Sequence, residues 1–439
     1  MRYLVLFISL VVYNVAADFQ VMQITDFHFD ADYDTNGDPN KLCHSKGSSR
    51  VIQFQGLVKN AVESAAKMFP APNLILWTGD NVPHIEKYNM DYLMNAINKT
   101  SQQLNASFPN VQILPTYGNH DHAPANGFEE NDELYAKTYE LWKHWIGAEA
   151  QTTFLKGGYY QFKYENTLFL VLNTNLYYMF DKATFKNPDD PADQFKYMAD
   201  KLEEAKKQKI PVIIVAHIAP GMYERKAKFQ WFRDNYNAKF LKIVNDYQDV
   251  IKNMIFGHHH TDTFHVVRDS GGTATHVCWM CPAVTPWYSD LGDAANNPAF
   301  RLYKFNSAKE WTLQDIETYY VDLAKLNKDQ RTNWKLEYSF KKTYGLSDFA
   351  PKTIDKLLDQ MDKNDTVYLQ YLNYNSVLYK PETDTSKIDA TMRLGQMCSL
   401  RHADYTDYNK CLTSTSFSER VKFSFSAFLL TLFLMFKLN

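Results

Sequence analysis

Histidine, aspartate and asparagine recur in five short groups, each directly behind an apolar run. The groups are Asp26-Phe27-His28 behind Gln23-Ile24-Thr25, Gly79-Asp80-Asn81 behind Leu74 to Thr78, and Gly118-Asn119-His120-Asp121 behind Val111 to Tyr117. Two more follow: Ala216-His217 behind Val212 to Val215, and Gly257-His258-His259-His260 behind Met254-Ile255-Phe256. Imidazoles, carboxylates and an amide oxygen suit divalent cations, and strands that end together would deliver all five groups to one rim. Glycine beside three of them lets the backbone turn closely there. Two adjacent cations bring the pKa of a bridging water toward neutrality and take up charge developing on a substrate oxygen, so the chemistry open to such a centre is metal-assisted hydrolysis.

Such a rim needs a sheet behind it. Short apolar runs recur at Phe19–Thr25, Asn73–Thr78, Val111–Thr116, Leu168–Asn173, Pro211–Ala216, Asn253–Phe256, His276–Trp279 and Arg301–Phe305. Amphipathic helical patterns over Gly56–Met68 and Ala192–Lys207 lie between some of them, and this alternation predicts a layered α/β domain with its site at carboxyl ends of strands. After Tyr320 the strand-like runs cease, and Trp334–Tyr344 and Ser347–Asp362 read as helices of a small C-terminal subdomain. The division expected is a signal peptide over 1–17, a catalytic domain over 18–320, a helical domain over 321–412 and a terminal segment over 413–439.

The 439 residues carry 47 Lys+Arg against 50 Asp+Glu, so no bulk field is available to collect nucleic acid, and a polyanion would need a local site. With 45% hydrophobic and 15% aromatic residues the chain has material for a large core, and five cysteines are too few for a disulfide scaffold. Arg2, the apolar Leu4–Val12 and the small Val15-Ala16-Ala17 read as a secretory signal. Small residues at Thr413–Ser416, a polar spacer and the apolar Phe423–Phe436 read as a GPI-attachment signal, with a short hydrophobic anchor as the alternative. The protein is therefore expected outside the cell, secreted or on the outer leaflet of the plasma membrane, with a lysosomal destination as another outcome, and as a monomer. Sequons at Asn98, Asn105 and Asn364 agree with that route, and Cys398 and Cys411 enclose a short loop suited to a disulfide. Cys278 and Cys281 lie in an apolar run and read as core thiols, while Cys43 has no partner nearby in sequence.

The order DxH, GDN, GNHD, H, GHxH resembles the calcineurin-like metallophosphoesterases, over most of residues 18–305. Thr25–Asp30, Trp77–His84, Gly118–Asp121 and the stretch from Pro282–Trp287 to Asn297–Arg301 are similar to acid sphingomyelinase and its sphingomyelinase-like phosphodiesterase relatives, whose helical C-terminal domain Trp334–Tyr338 would open. The resemblance implies a β-sandwich core flanked by helices. It also implies two divalent ions, zinc by family habit, one held by Asp26, His28, Asp80 and His260 and the other by Asp80, Asn119, His217 and His258. Attack by a metal-bridging hydroxide would then need an acid for the leaving oxygen. His120 is the first candidate, oriented by Asp121, and His84 is a second acid or a phosphate clamp. Asp30, Asp121 and Asp262 are expected to back the ligands, and His259 to face away from them. The substrates implied are small nucleotide or phosphocholine-type phosphodiesters and phosphoanhydrides. Sphingomyelin, a phosphomonoester, and a non-enzymatic surface protein on the same fold are the alternatives.

Overall fold

The computed structural model describes residues 19–30, 56–85, 87–286, 295–329 and 331–414. The signal segment, the GPI-type tail, Cys43 and Trp287 lie outside the described residues. Twelve strands are present among them: β1 Phe19–Ile24, β2 Leu74–Trp77, β3 Gln112–Pro115, β4 Tyr160–Tyr164, β5 Thr167–Val171, β6 Val212–Val215, β7 Ile251–Phe256, β8 Thr263–Arg268, β9 Ala274–Met280, β10 Ala299–Asn306, β11 Thr312–Tyr320 and β12 Lys335–Ser339.

They form two six-stranded sheets in the orders β12-β11-β10-β1-β2-β3 and β4-β5-β6-β7-β9-β8. Strands β1, β2 and β3 run parallel in the first, and β5, β6, β7 and β9 run parallel in the second. The inner strands carry unbroken apolar runs, Leu-Ile-Leu-Trp in β2 and Val-Ile-Ile-Val in β6, because both of their faces are buried. Polar tethers cross between the sheets: Gln23 Nε2 donates to Phe256 O at 2.9 Å, and Thr116 Oγ1 donates to Leu172 O at 3.1 Å. Buried side chains of both sheets belong to one apolar core. The expected β-sandwich with flanking helices is what the chain forms.

One expectation is corrected. Trp334–Tyr344 is helical only over Phe340–Tyr344, whereas Lys335–Ser339 is strand β12, paired antiparallel with β11. The open edge of β11 offers ladder partners, and its hydrogen bonds outweigh the helical tendency of Lys-Leu-Glu. Beyond it the region is helical, with Pro351–Lys363, Asp365–Asn375, Ala390–Arg401 and Tyr405–Thr413. The last two are joined by the expected Cys398–Cys411 disulfide, and Cys278 and Cys281 are buried free thiols.

Candidate metal centre and active site

Each of the five ligand-type groups follows the carboxyl end of a parallel strand, three in the first sheet and two in the second. Asp26 and His28 follow β1, Asp80 follows β2, Asn119 and His120 follow β3, His217 follows β6, and His258 and His260 follow β7. The turns are sharp: Asp26, His28, Asp80, His258 and His260 all hold positive φ, between 41° and 69°. Non-glycine residues there cost on the order of 1 kcal/mol or more each, and such strain persists where the surroundings enforce it, as at active sites. Glycine is required alongside. A Cβ on Gly118 would strike the Asp80 carboxylate, and one on Gly257 would lie 3.0 Å from the Asp26 carboxylate.

The donors converge. Asp26, His28, Asp80 and His260 each offer an atom within 4.8 Å of the others, and so do Asp80, His217 and His258. His217 Nε2 lies 3.2 Å from Asp80 Oδ2 and 3.2 Å from His258 Nδ1, and His260 Nε2 lies 3.3 Å from Asp26 Oδ1 and 3.1 Å from His28 Nε2. Two tautomers follow from the backbone. His28 Nδ1 donates to Val82 O at 2.8 Å and His217 Nδ1 to Thr78 O at 2.6 Å. A carbonyl only accepts, so both rings carry a proton on Nδ1 and turn Nε2 to the cluster. Asp26 Oδ1 and Asn119 Oδ1 are buried there without a hydrogen-bond partner. Imidazole nitrogens about 3 Å apart, with carboxylates beside them and no thiolate among them, are a donor set that divalent cations fit.

Charge in the cluster obeys the same logic. Burial, with His260 and His120 nearby, lowers the His28 pKa to about 3, so its ring is neutral. His217 is equally buried, yet Asp80 and Asp26 raise it to about 9. Burial works against the Asp26 charge, but His260 and His217 beside it keep its pKa low.

His84 stacks on His28 with ring centroids 4.0 Å apart and meets the His120 ring at 4.2 Å. His120 is anchored by its backbone, the N–H donating to Asp80 Oδ1 at 2.8 Å and the carbonyl accepting from Tyr88 OH at 2.5 Å. Its Nδ1 has no partner. Removal from water lowers its pKa, with the rings of His260 and His217 nearby acting in the same direction.

Asp121 does not orient His120. Its two oxygens accept from the backbone N–H groups of Asp80, Asn81 and Gly118 and from Asn81 Nδ2, at 2.7–3.1 Å, so it holds the Asp80 turn instead. Asp262 does not back a ligand either. Arg301, Thr318 and Tyr338 take up its carboxylate, because a buried guanidinium needs a counter-ion there. Asp30 is buried two residues beyond His28. Asn98 and Asn105 lie on helix Met90–Ser107, and Asn364 caps helix Asp365–Asn375 through its side chain.

A cavity of about 110 Å³ opens on this cluster. One side is formed by Asp80, His84, Asn119 and His120, and the far wall by Tyr178, Tyr223, Phe229, Trp231 and His259. Those aromatics escaped the sequence reading, as did Glu224, whose Oε2 accepts from His259 Nδ1 at 2.8 Å. The available signal was the aromatic density of residues 223–232 in an otherwise polar loop.

Residues 19–262 match the calcineurin-like phosphoesterase family, and 274–418 match the acid sphingomyelin phosphodiesterase C-terminal region. The chain belongs to the calcineurin-like phosphoesterase family. Human acid sphingomyelinase-like phosphodiesterase 3b is 32% identical over 410 residues, covering 89% of each chain. Human cyclic GMP-AMP phosphodiesterase SMPDL3A is 31% identical, covering 90% of each, and sphingomyelinase phosphodiesterase C of Dictyostelium discoideum is 28% identical, covering 93% of this chain and 95% of its own. This phosphoesterase is a phosphodiester hydrolase, and its fold is one that uses divalent metals.

Proposed function

We propose that the chain hydrolyses small phosphodiesters and phosphoanhydrides of the nucleotide or phosphocholine type, outside the cell, at a dinuclear zinc centre in the 18–320 region. The observation that carries this is the convergence of donors, with the Nε2 atoms of His28 and His217 turned onto the carboxylates of Asp26 and Asp80. Asp26, His28, Asp80 and His260 would hold one ion, and Asp80, Asn119, His217 and His258 the second. Bound there, two divalent cations activate a water and offset charge on the phosphoryl oxygens.

The chain's own side chains do the rest. His120 Nδ1, free of partners, delivers a proton to the leaving oxygen, and its lowered pKa makes it a stronger acid once protonated. His84, stacked on His28, contacts the phosphoryl group from the same side. Asp121 fixes the Asp80 turn through four N–H donors, and the aromatic wall excludes water from the far side.

The test is the purified full chain loaded with zinc against ATP, CDP-choline, a cyclic dinucleotide, sphingomyelin micelles and a simple monoester. Turnover of the nucleotide substrates is expected, and His120→Ala should lower kcat on an unactivated diester by about 10²–10⁴-fold, the usual worth of a positioned acid. Activity on the monoester alone overturns the reading, and near-normal turnover by His120→Ala and His84→Ala removes their roles. Sphingomyelin stands as a second reading because Met179 and Phe180, each 44% exposed, follow the cavity-lining Tyr178, and the Phe180 ring lies 5.4 Å from Tyr178 and 5.6 Å from Phe229. Release of the protein from expressing cells by a phosphatidylinositol-specific lipase would support the GPI anchor, and retention would favour a spanning tail.

A further inference from the structure

His259 sits between two of the donors yet belongs to neither donor group. It is 1% exposed, and its ring meets Trp231 at 5.4 Å and Tyr223 at 5.6 Å on the wall of the cavity opposite His84 and His120. Glu224, also buried, accepts its Nδ1–H at 2.8 Å. The carboxylate is fixed in turn, since its other oxygen accepts from the Thr261 hydroxyl and, at 3.0 Å, from Asn375 Nδ2 of helix Asp365–Asn375. Arg225 ties that arrangement to the ligand turn. It donates to Asn375 Oδ1 and Asn296 Oδ1, each at 2.8 Å, and Asn296 Nδ2 donates to His260 O at 2.6 Å.

Glu224, His259 and His265 have the ligand types of an ion site, but their donors are already spent on one another and on neighbours. His265 bonds Pro220 O and Ser399 Oγ at 3.0 and 3.2 Å. What the network leaves open is one atom. In the neutral ring with its one proton on Nδ1, His259 Nε2 is an acceptor, buried, without a partner, on a ring that lines the cavity. A buried acceptor left unmade is destabilising, so the site gains from a ligand that brings a donor to it.

We propose that His259, held by Glu224, is a specificity-determining contact. Its Nε2 accepts a hydrogen bond from the substituent that stays on phosphorus, so the site prefers a substituent bearing hydroxyl or amino hydrogens, such as a nucleoside, over a quaternary ammonium head, which has none. The aromatic wall alone does not separate the two, since a base stacks on it and a trimethylammonium group binds it by cation–π attraction. Glu224 is the positioning residue. This inference rests on the phosphodiesterase reading above.

The experiment keeps the leaving group constant. The nitrophenyl diesters of thymidine 5′-phosphate and of phosphocholine both release nitrophenolate and differ only in the retained substituent. Loss of the bond should lower the nucleoside-to-choline ratio of kcat/KM about tenfold in His259→Ala. The ratio should fall likewise in His259→Asn, whose amide ends near Nδ1, and recover to within about threefold of wild type in His259→Gln, whose amide reaches the Nε2 position. Zinc content of each variant separates specificity from damage to the ligand turn. Independently of turnover, ¹⁵N spectra of histidine-labelled protein should show His259 as the Nδ1–H tautomer, displaced in Glu224→Gln. Equal loss on both esters, an unchanged ratio, or an Nε2–H tautomer in the wild type overturns the proposal while leaving the phosphodiesterase reading intact. A zinc-loaded wild type inert on both esters overturns both.

Discussion

Arg301 brings a full positive charge into the interior at 1% exposure, and Asp262, 2.5 Å from its Nη2, is the group that makes this tolerable. Met280 O accepts from the same guanidinium at 3.0 Å, which ties β10 to the end of β9 across the two sheets. Removing one partner strands the other, and a stranded buried charge costs far more than the pair contributes. Arg301→Met should therefore lower unfolding free energy by about 3–5 kcal/mol in urea titration, with Asp262→Leu in the same background recovering part of the loss. A loss confined to below 1 kcal/mol would mean that Asp262 finds water or another donor. At this scale the ligand residues were legible because their types are rare in combination and each stands behind an apolar run. Asp262 was misread because its two-residue spacing from His260 says nothing about which way its chain turns.

Among the elements, the segment carrying the aromatic wall is held from outside by the C-terminal helices. Tyr405 OH accepts from Phe232 N, Tyr408 OH accepts from Lys228 N, each at 2.9 Å, and Ser399 Oγ donates to Met222 O at 2.7 Å. The Cys398–Cys411 disulfide joins the two helices that supply these groups. Opening it with a Cys398→Ser/Cys411→Ser double variant should cost about 3 kcal/mol, the worth of closing a loop of this length, and should raise KM more than it lowers kcat because the wall loosens while the ligand turns do not. A lowered kcat at unchanged KM would contradict that division. The eight strands read from sequence were mostly inner strands with a largely apolar run, as in β2 and β6. Strands β4, β8, β11 and β12 were missed because three of them are sheet edges and their polar residues interrupt the pattern. Residues 221–233 form no regular element, so no periodicity betrayed the wall.

For the molecule as a whole, acid is a stress that its buried histidines sharpen. Burial, together with charged neighbours for two of them, lowers His265, His276 and His402 to about 4, and none of the three is among the candidate ligands. Between pH 6.5 and 4 the unfolded chain binds protons that the folded chain refuses, so stability falls as pH drops through that window and is fully present above it. For His276 alone the loss by pH 4.5 is about 2 kcal/mol. Thermal unfolding should therefore show a smaller drop in Tm between pH 7 and pH 4.5 in His276→Leu than in the wild type, even if the variant starts lower from loss of the bond to Ile251 O. Equal drops would refute the assignment.

Strand β1 pairs with β10 through Phe19 opposite Phe305, and the donors behind β1 meet those behind β7 across a sequence separation of 232. Contacts of such separation are the slowest to form, because loop closure must be met before any pairing rewards it. A chain emerging from the ribosome therefore cannot complete its first sheet until β10 to β12 have followed, and until then β1 lacks its antiparallel neighbour β10. The hydrolytic site is thus assembled late in synthesis, and the unpaired apolar edge of β1 is open to association with other chains until then.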